Sequence, residues 1–313
     1  MTVTPPPGSP AGSAATDAFA CQRELLFGVV YGMLGTVADT EDVLRETWHG
    51  WARRPAPADA ARPRACLVRA ALRQALARHD AIARRREAYI GPWLPEPLVC
   101  PLERATGPGA DGRPAGASTP LAGAGAVPLA TLAALDDLTA PERAVFVLAE
   151  VARCAPEQIA EIMGRSPAAV RQLAGRASAR VEARRPRSPA DPAIRPAIMA
   201  QFAAAMRGGD RAAFGRLLAP EVAFRTDSGG KGSAACLTGV QGRERAAALL
   251  AAGSYWPRAD PQVRGRLVNG EEALVVTAAG VPFAVLALDL DPARGRVCGI
   301  YAVTNPDKLR GSS

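Results

Sequence analysis

The sequence predicts a multidomain chain, with all-helical blocks first and an α+β domain after them. Three observations carry this reading. Apolar residues recur at helical spacing through the N-terminal part, where Ala is abundant; aromatics make up only 5% of the whole chain, which favours close-packed helices. Pro156–Arg187, PEQIAEIMGRSPAAVRQLAGRASARVEARRPR, spells a helix-turn-helix with a basic second helix. From Val222 onward, short β-type runs separated by Gly, Asn and Asp replace the helical pattern.

Taken in order, residues 1–16 (MTVTPPPGSPAGSAAT) form a Pro/Gly/Ser tail expected to be disordered. Residues 17–87 read as helices. Phe19, Leu25, Leu26, Val29, Val30 and Leu34 mark one apolar face, and Val43, Leu44, Trp48 and Trp51 mark a second. A basic helical stretch then runs from about Pro63 to Glu87. Residues 88–128 are broken by Pro and Gly and read as a linker, flexible at its centre. Residues 129–186 read as a compact helical unit closed by the helix-turn-helix, and PRSPADP is a proline-rich joint. In 193–313, helices are expected over Ile194–Met206 and Arg211–Leu218. Strands of an antiparallel sheet are expected over Val222–Thr226, Val263–Val268, Ala273–Thr277, Phe283–Asp289 and Arg296–Val303.

The helix-turn-helix is specified position by position. Ile159 and Met163 give the first helix an apolar face, and Ala160 is small where two helices cross. Gly164 suits a left-handed closing residue. Ser166 is a good N-cap and Pro167 fits the first helical position. Val170, Leu173 and Ala174 then face inward, leaving Arg171, Gln172 and Arg176 outward, as in a helix that enters a major groove. Between Arg165 and Arg187 there are seven arginines and one acid, Glu182. Arg165, Ser166, Arg171, Gln172, Arg176 and Arg180 are the candidate DNA contacts of this unit. Upstream, Arg62, Arg64, Arg69, Arg73, Arg78, Arg84 and Arg85 crowd one region, a density suited to phosphates. On the preceding helix Asp39, Asp42 and Glu46 share a face opposite Leu44, Trp48 and Trp51.

Composition narrows the function classes. Net charge is +8 with a pI near 9.7, which suits a polyanionic partner. The six cysteines form no metal-ligand pair and are expected as buried free thiols; with His49 and His79 the only histidines, no structural zinc is indicated. No apolar run reaches membrane-spanning length and the N-terminus lacks signal-peptide character, so a cytoplasmic protein is expected. No histidine follows residue 79, which excludes a His general base in the C-terminal domain. No cofactor is indicated and no enzyme activity is expected.

At this point two stretches carry a family resemblance. YGMLGTVADTEDVLRETWHGWARR resembles region 2 of sigma factors of the extracytoplasmic-function group, and LDDLTAPERAVFVLAEVARCAPEQIAEIMGRSPAAVRQLAGRASARV resembles their region 4. The resemblance implies core RNA polymerase (β′ clamp and β flap) and promoter DNA as partners. It implies that Asp39, Asp42 and Glu46 dock on the clamp, that the basic 59–87 segment engages the −10 element, and that the 167–185 helix reads the −35 element. A base flipped from the non-template strand would be captured near residues 55–66. The chain departs from the pattern at Gly32, where the family usually has Arg, and at Cys66-Leu67 and Leu76-Ala77.

Three further strings, WLPEPL at Trp93–Leu98, DSGGK at Asp227–Lys231 and NPDKL at Asn305–Leu309, resemble signatures of the subgroup with a SnoaL-like extension of the nuclear transport factor 2-like superfamily. Ser228 stands for the usual Gly. Read as residues alone, WLPEPL is a stiff extended segment, SGGK a turn with a cation, and NPDK a turn capping the last strand. The subgroup implies an α+β cone that controls the sigma part in cis. Trp93, Leu94, Pro95, Glu96, Pro97, Asp227, Lys231, Asn305, Pro306, Asp307 and Lys308 are then the candidate regulatory contacts, and a small apolar ligand in the cone is a candidate partner. The alternatives are a ligand-sensing helix-turn-helix regulator that acts without polymerase, and a SnoaL-type enzyme with a vestigial DNA-binding part.

Overall fold

The computed structural model describes residues 10–53, 63–100, 126–184, 193–231, 239–253, 261–291 and 294–310. In chain order the elements are α1 (Pro10–Leu34), α2 (Val37–Ala52), α3 (Pro63–Glu87), β1 (Val99–Cys100), α4 (Leu129–Ala134), a 3-10 turn (Leu135–Asp137), α5 (Ala140–Glu150), α6 (Pro156–Met163) and α7 (Pro167–Arg184). Then follow α8 (Arg195–Gly208), α9 (Arg211–Leu217), β2 (Leu218–Asp227), β3 (Val240–Gln241), α10 (Arg243–Ala251), β4 (Pro261–Val268), β5 (Glu271–Ala278), β6 (Val281–Asp291), β7 (Arg296–Val303) and α11 (Pro306–Leu309). They divide into two compact units, Met1–Arg84 with Leu138–Ala179, and Arg85–Asp137 with Arg180–Ser313.

The first unit is all helix. The apolar stripe of α1, from Leu26 to Leu34, is buried, as are Val43, Leu44 and Trp51 of α2 and Leu67, Val68, Ala71, Leu72 and Ala75 of α3. The expected disordered tail is corrected in part: helix begins at Pro10, and the Trp51 indole donates to the Ala15 carbonyl at 3.1 Å. Helices α1 and α5 pack against each other where Gly32 leaves no room for more, since a Cβ there would lie 3.0 Å from both methyls of Val147. Arg143, 1% exposed, sends its Nε–H to the Gly32 carbonyl at 2.8 Å. The two helical blocks, expected as separate domains, therefore share a unit.

The second unit is a seven-stranded sheet in the order β1-β4-β5-β6-β7-β2-β3. It is mixed, which corrects the antiparallel expectation: β2 runs parallel to β7, with Phe224 opposite Ile300. One face is filled by α8, α9 and α10 through Phe202, Phe214, Leu250 and the strand residues Val222, Phe224, Leu286 and Ile300. The opposite face carries Val275, Val285, Tyr301 and Val303, and it is covered by Leu94 of the linker, Leu309, and Leu129, Ala130 and Ala133 of α4. Residues 129–137 and the end of α7 group with the sheet, because the apolar face of α4 finds its partners there.

The linker is described only at its two ends. Its centre, 101–125, lies outside the described residues, but its first part is bound. Val99 and Cys100 pair antiparallel with Val268 and Leu267 as an added strand. Of the described cysteines all are free, and Cys21 on the solvent side of α1 is exposed rather than buried.

Candidate functional site

The helix-turn-helix forms as its residues dictate. Gly164 closes α6 in the left-handed region at φ 63°, and Ser166 Oγ accepts the Ala169 N–H at 3.2 Å to start α7. Val170, Leu173 and Ala177 are buried, which turns Arg165, Ser166, Arg171 and Gln172 to the surface. Arg171 stands 3.9 Å from Glu157, an exposed pair of little energetic weight. Arg176 is also exposed but is held by Glu142 at 3.0 Å. Glu142 is buried and closes the capping box of α5 with Thr139, so Arg176 braces the start of that helix. Further along, Arg180 Nη1 reaches the Asp137 carbonyl at 3.4 Å and Arg184 its carboxylate at 2.5 Å.

On α3 the basic residues divide by partner. Arg64 donates to the Ala152 carbonyl at 2.6 Å and Arg69 pairs with Glu161 at 3.2 Å. Arg78 bonds Glu46 and lies 3.6 Å from Asp42. Arg73, Arg84 and Arg85 are exposed. Arg62 lies outside the described residues. Of the acids on α2, Asp39 accepts from the Thr36 hydroxyl at 2.6 Å. Asp42 is held below the usual carboxylate range, first by its hydrogen bond from Arg45 and then by the charges of Arg45 and Arg78. Between α2 and α3 opens a cleft of about 60 Å³ lined by Glu46, Thr47, Gly50, Trp51, Ala70, Arg73 and Gln74. The Thr47 hydroxyl is buried there without a hydrogen-bond partner. No periodicity pointed to this cleft, because it takes residues from two helices.

In the second unit the three short strings converge. Asp227, fully buried, accepts the Tyr89 hydroxyl at 2.5 Å, the Leu94 N–H at 2.8 Å and the Lys308 ammonium at 2.6 Å. Lys308 also donates to the Leu94 carbonyl at 2.6 Å. Its Nζ lies 4.0 Å from the centre of the Trp93 ring, which Arg86 also approaches at 3.6 Å. Burial draws the Lys308 pKa down, opposed by the Asp227 charge. Burial raises the Tyr89 phenol, and the bond to Asp227 raises it further. Pro95 and Pro97 are buried and Glu96 half-buried.

NPDKL is a one-turn helix rather than a plain turn. Asn305 caps it by accepting the Asp307 N–H at 3.0 Å, and its Nδ2 reaches the Tyr89 hydroxyl at 2.8 Å. Pro306 and Asp307 are exposed, Asp307 pairing with Arg310. Lys231 is exposed and contributes its N–H to the Ser228 carbonyl, closing the DSGGK turn. Two participants escaped the sequence reading. Tyr89 had no motif of its own. Asn269 is one of the Asn residues that separate the β-type runs, yet at φ 50° its Oδ1 accepts the Leu98 N–H and its own N–H returns to the Leu98 carbonyl, both at 3.0 Å.

Residues 129–181 match the family described as Sigma-70, region 4. The chain is 34% identical over 307 residues to ECF RNA polymerase sigma factor SigJ of Mycobacterium tuberculosis (strain ATCC 25618 / H37Rv), an alignment covering 94% of this chain and 93% of that protein. The chain belongs to the extracytoplasmic-function sigma factors. The crystal structure of Mycobacterium tuberculosis extracytoplasmic function sigma factor SigJ superposes with a TM-score of 0.70 at 31% identity, covering 95% of this chain and 99% of that one. The sigma factor thus matches its relative through the C-terminal sheet as well as the helical part. Among its described residues no helix is long and apolar enough to cross a membrane.

Proposed function

We propose that this sigma factor binds core RNA polymerase and directs promoter-specific initiation, and that its C-terminal SnoaL-like domain controls the activity in cis by holding the linker. The observation that carries the second part is Asp227. It collects Tyr89 and Leu94 of the linker and Lys308 of α11 around one fully buried carboxylate. Because linker and domain belong to one chain, effective concentration favours the docked state even for a modest interface.

In this reading Asp39, Asp42 and Glu46 face the β′ clamp. The exposed arginines of α3 track phosphates near the −10 element, and Arg165 of the turn with Arg171 and Gln172 of α7 read the −35 element, each good base pairing contributing about 1–3 kcal/mol of discrimination. The cleft between α2 and α3 receives an unstacked base, with the Thr47 hydroxyl, Arg73 and Gln74 as its polar groups. The protein acts by binding rather than by catalysis, and the filled core on the helical face of the sheet supports a structural role for the cone.

Run-off transcription tests this with core polymerase on the region upstream of the protein's own gene. Wild type is compared with a variant carrying Ala at Trp93, Leu94, Pro95, Glu96 and Pro97. Wild type initiates, and the variant changes the yield by about fivefold or more while core binding holds. Equal yields from both proteins overturn control through the linker. Absence of initiation together with absence of core binding overturns the sigma role itself.

A further inference from the structure

Arg86 at the end of α3 and Arg184 at the end of α7 both belong to stretches assigned to DNA, yet both are engaged by neighbouring acids of one short turn. Arg86 Nη1 bonds Asp136 at 2.6 Å, with side chains 16% and 25% exposed. Arg184 Nη2 bonds Asp137 at 2.5 Å, with side chains 45% and 43% exposed. Arg180 adds a contact to the Asp137 carbonyl. The turn that carries these acids is itself fixed, because Leu135 is fully buried and the preceding α4 packs on the sheet through Leu129, Ala130 and Ala133.

We propose that Asp136 and Asp137 form an acidic clip that occupies the cations at the ends of α3 and α7 in place of DNA phosphates, so that promoter binding must exchange the clip for the backbone. The proposal rests on the reading that α3 and α7 bind DNA. Its physical content is a competition. A guanidinium held by a carboxylate at hydrogen-bond distance offers the same donors that a phosphate oxygen would take. Releasing it to DNA costs the ion pair, so the clip lowers affinity and hides phosphate contacts from the salt dependence. It also ties the last turns of both helices to α4, the element that rests on the C-terminal sheet. Docking of the sheet thereby bears on which cations are free for DNA.

The test is binding of the full chain to a 30-bp mixed-sequence duplex by fluorescence anisotropy, from about 50 to 200 mM salt, the range over which counterion release is read. D136N/D137N is compared with wild type and with E221Q/E244Q, a charge-matched control whose exposed acids pair with Arg294 and Arg211 in the C-terminal domain. The clip variant is expected to bind about fivefold more tightly at low salt, with a log–log salt slope steeper by about 1–2, and the control to shift by less than about twofold. R184Q is expected to weaken binding about threefold in the D136N/D137N background and hardly at all in wild type, where Arg184 is already engaged. That non-additivity is read from D137N/R184Q as well, should the first double variant not fold. Equal shifts in the clip variant and the control, or additive effects of R184Q, overturn the clip alone. Absence of DNA binding by every form overturns the DNA-binding reading and the clip with it.

Discussion

At Asp227 one carboxylate does the work of three motifs, and its consequences are measurable. The Asp227–Lys308 pair is buried, so breaking it leaves an uncompensated polar group. D227N or K308M is expected to cost about 3–5 kcal/mol of stability by urea denaturation and to expose the linker to protease. Ser228 adds a second expectation. Its hydroxyl is buried without a partner at the position where the subgroup usually has Gly. S228A is therefore expected to stabilise by about 1 kcal/mol, read as an upward shift of the denaturation midpoint. Tyr89 gives a pH signature. Its phenol pKa is raised in the folded chain, so its contribution is complete below about pH 10 and is lost as pH rises through the raised value. Lys308 runs the other way, since the unfolded chain holds its proton more tightly and stability rises with pH between the lowered and the ordinary value. The difference in stability between wild type and Y89F isolates the tyrosine, and it should shrink only above about pH 10. A difference already falling at neutral pH would contradict this account of Tyr89.

The elements show where sequence logic was sufficient and where it was not. Helix α3 forms over Pro63–Glu87, as its pattern indicates, and the turn between α6 and α7 has the glycine and the cap that the residues demand. Gly32 is different. As a sequence feature it was only a missing Arg, whereas in the fold it is the point where α1 and α5 touch. G32R is expected to destabilise by about 1–3 kcal/mol through overpacking against Val147, and V147A to recover part of the loss in a thermal melt. If G32R melts at the wild-type temperature, the packing account fails. Strand β1 could not be read in advance, because two residues after a proline-rich segment carry no period. Their pairing with Leu267 and Val268 depends on Asn269 holding Leu98 in place.

For the whole molecule, the decisive fact is how chain segments are shared between units. Residues 129–137 match the region 4 family yet pack with the C-terminal sheet. A chain ending at Arg187 therefore strips the cover from Leu94, Leu129, Ala130 and Ala133. It is expected to bind a hydrophobic dye more strongly than the full chain, as exposed apolar surface does. An unchanged dye signal would mean that this face finds another cover within the shortened protein. The family boundary at 129, which helical periodicity also indicates, and the packing boundary near 138 therefore differ. Period 3.6 reports that a helix has an apolar face, not which partner receives it.

Sequence alone determined the family, the helix-turn-helix, the order of helical and β-rich parts, and the three strings that matter to the C-terminal domain. Those properties are local, written in caps, turn residues and periodicity, and they survive without knowledge of neighbours. Tertiary structure decided the rest. It placed Asn305 on the Tyr89 hydroxyl, Asn269 on the linker, Arg86 and Arg184 on adjacent aspartates, and Arg143 on the Gly32 carbonyl. Each of these joins residues far apart in the chain. Their energies come from burial and from donors finding acceptors across elements, and no spacing along one helix or strand encodes that.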